Sequence, residues 1–189
     1  MSEDEEFPPD EMRNALDVAR RCSVLIAVVA TGHRQPIQPT VDWLVDEGLW
    51  DHVTPKERAF FLEHSPSQQQ IVNATWRAEA LHILLWSLNR LPSLCKVTEQ
   101  CSLTAECDAS PFLHPTSDFI ASANLRPEEE LRSALDVVYH AHWQVRDAQL
   151  RGLSAPDGLE AGAIYERHYA LNWITGYCGQ DWDHISTDT

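Results

Sequence analysis

The sequence predicts an all-α fold: a single-domain, non-repeat bundle of five to seven helices, with a loop-rich connector around 92–126. Three observations predict it. Apolar residues recur at alternating spacings of three and four along several long segments. Helix start and stop signals bracket those segments. No strand alternation with a hairpin turn is found, and no internal repeat.

The elements follow in chain order. Residues 1–8 read as an acidic, disordered leader, and 9–189 as one helical domain. A first helix is expected from near Pro9 to about Ala30, with Leu16, Ala19, Ser23, Ile26 and Ala30 at helical spacing and Gly32 as its cap. Prolines at 36 and 39 predict a loop over His33–Pro39. Thr40 then caps a short helix that Gly48 ends. Thr54-Pro55-Lys56-Glu57 carries a capping box with Pro at the first helical position. A long helix is expected from Ser67 to Leu91, stopped by Pro92.

The connector around 92–126 has weak periodicity, and a short helix is expected over 116–124. A connector of this length suits a binding loop or a variable insertion. Pro127 and three glutamates open the next helix, where acids complement the helix dipole. Gly152 closes it. After a tight reversal, the last helix runs from Leu159 to Tyr177.

Composition narrows the function. The chain has 189 residues, of which 43% are hydrophobic, enough to bury a core. Its seven tryptophans are expected mostly inside. Twenty-nine acids against fourteen bases give a formal charge of −15. That charge argues against nucleic acid and anionic membranes as partners, because both attract cationic faces. No apolar run approaches a membrane span, and the acidic N-terminus is unlike a signal peptide. Five cysteines, an odd number, suit free thiols in the cytoplasm. Cys95, Cys101 and Cys107 recur every six residues before His114. That spacing matches no common zinc signature, so no metal or other cofactor is expected.

Three stretches carry a family resemblance. They are Trp76–Trp86, Tyr139–Ala148, and Tyr165–Tyr177 with the tail from Trp182 to Thr189. Together they are similar to the DUF4272 family of helical bacterial proteins. The resemblance implies a bacterial source and a single domain. It carries no catalytic residue over.

Two polar constellations stand out. In the last two helices, His142, Arg146 and Asp147 face the group Glu166, Arg167 and His168. An antiparallel pairing about the reversal near residue 155 brings His142 and His168 level, since each lies 13 positions from it. A site there offers a histidine base and a carboxylate; a buried network that fixes helix alignment is the competing reading. A secondary cluster holds Arg77, Glu79 and His82, with Arg77 and Glu79 expected to pair locally. Glu79-x-x-His82 has the spacing of di-metal bundles, but only a single copy exists. No nucleophile elbow or phosphate loop is present.

The leading expectation is a non-catalytic, acidic binding factor, immunity- or antitoxin-like, for a basic partner protein. The alternatives are an enzyme or small-ligand or metal binder with a polar site between the last two helices, and a homo-oligomeric structural protein.

Overall fold

A computed structural model describes residues 10–101, 115–156 and 158–189. The expected leader, Cys107 and His114 lie outside these residues. Among them are seven α-helices and no strand: α1 Ala15–Gly32, α2 Ile37–Asp46, α3 Pro55–Leu62, α4 Gln68–Ser87, α5 Thr116–Ala121, α6 Glu128–Leu150 and α7 Ala161–Thr175. Single 3-10 turns follow at Trp50–His52, Tyr177–Gly179 and Trp182–His184. No helix among the described residues is long and apolar enough to cross a membrane.

Local chemistry sets most helix ends. Thr54 and Ser67 each close a full capping box, with Glu57 and Gln70. The three glutamates of the α6 first turn are all present. Four helices end alike, with a left-handed residue followed by a backbone amide reaching back to the last turn. Those residues are Arg34, Gly48, Asn89 and Gly152.

Several boundaries differ from the sequence reading, among them the end of α5 at Ala121 and the start of α7 at Ala161, and four have a clear physical reason. α1 starts at Ala15, because the Asn14 side chain accepts the Asp17 N–H. Residues before it run along the end of α7 instead, with Arg13 N–H donating to Ile174 O at 2.9 Å. α2 starts at Ile37 and includes Pro39, whose missing N–H falls in the first turn, where no helical partner exists. α4 stops at Ser87, before Pro92, because Asn89 adopts φ 59° and turns the chain. α7 ends at Thr175, because Gly176 turns left-handed at φ 80°.

The helices pack in the order α1, α4, α7, α6, with α5 against α1. α4 and α7 are therefore interior. From Ala163 to Thr175, every α7 residue except Tyr165 is buried. The core gathers Leu25 and Val28 of α1, Leu84 and Leu85 of α4, Val138 and Val145 of α6, and Leu171 and Ile174 of α7. Trp182 docks beneath the tail, stacked edge-on against Tyr169 and Trp173 at 5.2 Å each. Of the seven tryptophans, only Trp86, Trp173 and Trp182 are fully buried, and Trp143 lies open to solvent on α6.

Candidate functional site

Being interior, α7 offers successive residues to different neighbours. Side chains around a helix advance by roughly 100° per residue. Glu166, Arg167 and His168 are consecutive and divide between two neighbours, the first two turning to α4 and the third to α6. All three are buried.

Glu166 turns to α4 and meets Arg77, with Nη1 donating to Oε2 at 2.9 Å. Arg77 also lies over the Tyr169 ring, 4.6 Å from its centre. Burial raises the Glu166 carboxyl above the usual range, while Arg77 holds it down. Arg77 thus pairs across helices rather than with Glu79, its expected local partner.

Arg167 also turns to α4, meeting Glu79, two residues beyond Arg77. Its Nε donates to Glu79 Oε2 at 2.8 Å. Arg167 is 2% exposed and Glu79 3%, which makes this a fully desolvated ion pair. The remaining guanidinium donors reach the connector: Lys96 O at 2.8 Å, Glu99 O at 2.5 Å and Cys101 Sγ at 3.1 Å. Glu79 Oε1 accepts the Cys101 N–H at 2.9 Å. The connector over 96–101 is therefore wrapped around one buried ion pair.

His168 turns to α6. Its Nδ1 lies 2.8 Å from His142 Nδ1, so one ring donates and the other accepts. The rings are edge-to-face, with centres 5.1 Å apart. Burial and the neighbouring His142 lower His168 to about 4, against a small opposing pull from Asp188. Burial and Arg146 also lower His142. At neutral pH the pair is uncharged. Beside it a cleft of about 530 Å³ is lined by Asp136, Tyr139, His168, Asn172 and Asp188.

The six residues singled out on the last two helices therefore do not form one constellation. His142 and His168 come together. Glu166 and Arg167 join α4 instead. Arg146 and Asp147 stay on the outer side of α6, where Arg146 bonds Gln149 at 3.1 Å and Asp147 pairs with Arg151 at 2.9 Å. The secondary cluster also divides. Arg77 and Glu79 bind α7, and His82 faces the connector, with Nε2 3.5 Å from Cys95 Sγ. Burial and the nearby Arg167 lower His82 to about 4.

A cleft of about 800 Å³ runs between α4, α6 and the connector. Its floor is apolar, with Ile83, Trp86, Leu94, Val97, Ala134 and Val138. His82, Cys95 and Arg167 also line it, as do Glu129 and Glu130 from the first turn of α6. The sequence reading missed this cleft. Its walls come from residues 82–97 and 127–138, and no spacing within either segment signals the other.

Fold and site together define an all-α domain whose central helix is tied to its neighbours by buried polar pairs. The chain belongs to the DUF4272 family, described as a domain of unknown function, which matches residues 3–185. No curated protein and no solved structure matches it.

Proposed function

We propose that this protein binds a small, largely apolar ligand carrying a basic group, in the cleft between α4 and α6. One observation carries the reading: an apolar floor within a cleft of about 800 Å³ whose walls include the carboxylates of Glu129 and Glu130. Ligand pockets combine this size with an apolar lining and a few polar groups. Glu130 is paired with Arg126 at 3.1 Å and Lys96 also lines the cleft, so the Glu129 carboxylate is the group that favours a cationic ligand, and the formal charge of −15 favours its approach. No catalytic step is assigned. Free cysteines among the described residues suit a reducing compartment, the bacterial cytosol.

The test is binding of cationic amphiphilic metabolites, followed by thermal shift and native mass spectrometry. Ala134→Trp fills the floor and is expected to abolish the response while circular dichroism stays unchanged. Equal binding by wild type and Ala134→Trp would place any ligand elsewhere.

A second reading has its own observation. Tyr139, Trp143 and Leu150 lie exposed on one side of α6, and Tyr165 of α7 is exposed beside them. Exposed aromatics on an acidic protein suit docking to a basic partner protein, as an immunity- or antitoxin-like factor would. A pull-down whose yield falls between low and moderate salt supports this reading. Retention indifferent to salt, or lost by neither Trp143→Ala nor Tyr139→Ala, counts against it.

A further inference from the structure

Three side chains with no shared sequence motif meet beside the α4–α6 cleft. His82 comes from α4, and Cys95 and Cys101 from the connector. One donor atom of each, the imidazole nitrogen and two sulfurs, lies within 4.8 Å of the others. Imidazole and thiolate are the donors that zinc prefers.

The spacing suits a tetrahedral ion. Zinc bonds of about 2.3 Å to sulfur and about 2.0–2.1 Å to nitrogen place neighbouring ligand atoms roughly 3.5–3.8 Å apart. The His82 Nε2 to Cys95 Sγ separation is already 3.5 Å. Closing the third corner takes a movement of about 1 Å at most. The Cys95 N–H donates to His82 Nε2 at 3.4 Å, a long contact that the nitrogen gives up on taking an ion.

The scaffold is prearranged. Arg167 holds the connector at Lys96 O and Glu99 O and donates to Cys101 Sγ, while Glu79 takes the Cys101 N–H. An N–H donor on a ligand sulfur is the outer-shell support that metal–thiolate sites use. Charge closes as well. Two thiolates neutralise a dication, and Arg167 and Glu79 neutralise each other. A site without net charge avoids the main cost of burying ions.

We propose that His82, Cys95 and Cys101 hold a Zn²⁺ ion. Binding releases the two thiol protons to solvent, and both sulfurs remain reduced. Three ligands among the described residues leave one position of a tetrahedral ion unassigned. His82 and Cys95 also line the cleft between α4 and α6, so an ion they hold borders it. The spacing of the cysteines hides this site, because the third ligand comes from a helix thirteen residues upstream of the first cysteine.

The experiment uses the full chain, reduced and stripped of metal by chelator, with thiol titration confirming that the cysteines are reduced. Zn²⁺ affinity is measured against a chromophoric chelator, and Co²⁺ serves as the spectroscopic probe. The expected result is a single tight Zn²⁺ and a Co²⁺ spectrum with sulfur-to-metal charge transfer and intense tetrahedral bands. Cys95→Ser and Cys101→Ser should each weaken Zn²⁺ binding at least ~100-fold, and Cys22→Ser and Cys178→Ser should not. Circular dichroism checks each variant. If a variant fails to fold, the wild-type Co²⁺ spectrum decides by itself. No Zn²⁺ uptake by the reduced protein, a Co²⁺ spectrum without thiolate charge transfer, or unchanged affinity in folded Cys95→Ser and Cys101→Ser would each overturn the proposal. Cleft binding is scored separately, since Ala134→Trp leaves all three ligands in place.

Discussion

His142 and His168 face each other through their Nδ1 atoms at 2.8 Å, across the interface of α6 and α7. The contact needs one protonated and one bare nitrogen. It is therefore a hydrogen bond between neutral rings. His168→Ala leaves His142 buried with an unanswered nitrogen, and is expected to destabilise the fold by ~2–3 kcal/mol. Thermal denaturation checks this. A Tm equal to wild type would show that the pair contributes nothing.

The same rings set an acid limit. His168 lies near 4 in the folded protein, below the ordinary value of 6.5, and burial lowers His142 as well. Between about 4 and 6.5 the unfolded chain binds more protons, so stability falls as pH drops through that window. The His168 contribution is complete above about 6.5 and gone below about 4. The raised Glu166 carboxyl acts in the opposite sense. Chemical denaturation across this range should show a slope that flattens in His168→Gln. A slope unchanged in that variant removes His168 as a cause.

The ion pair of Glu79 and Arg167 is the most sensitive polar contact. Glu79→Ala strips a 2% exposed guanidinium of its counter-charge. A loss of about 3–5 kcal/mol is expected. It should also loosen the connector, because Glu79 holds Cys101. Hydrogen exchange over 96–101 reports that loosening. Protection equal to wild type in this segment would uncouple it from the pair.

Gly176 tests the junction of the chain's two ends. It turns at φ 80°, and an added Cβ would fall 2.0 Å from Glu11 O. Gly152 has a similar φ of 69°, but nothing within 4 Å of an added Cβ. Gly152→Ala should cost about 1 kcal/mol, as the left-handed backbone alone does. Gly176→Ala should cost several times more, and comparing the two melting temperatures measures the difference.

Much of the fold was legible because helix boundaries are local. Thr54 with Glu57, and Pro127 with its glutamates, announce their helices in consecutive residues. Boundaries set by tertiary contact were not legible. Asn89 belongs to the apolar stripe by spacing, yet it turns the chain at the end of α4. The two histidines could be aligned, because an antiparallel hairpin relates positions by counting from its turn. The destinations of Glu166 and Arg167 could not, because they depend on α4, nearly ninety residues away. The cysteines and His82 were each singled out, but not together, because neither segment signals that the connector folds back onto α4.

The three buried polar residues in a row on α7 have a consequence for how this sequence can change. A residue inserted or deleted just ahead of Glu166 would swing that triplet by roughly 100°. Arg77, Glu79 and His142 would lose their partners together. Length changes should therefore be forbidden within α7 and tolerated in the turn before it, where Gly152 meets open space. Among natural relatives, gaps should gather in that turn and leave the helix uninterrupted.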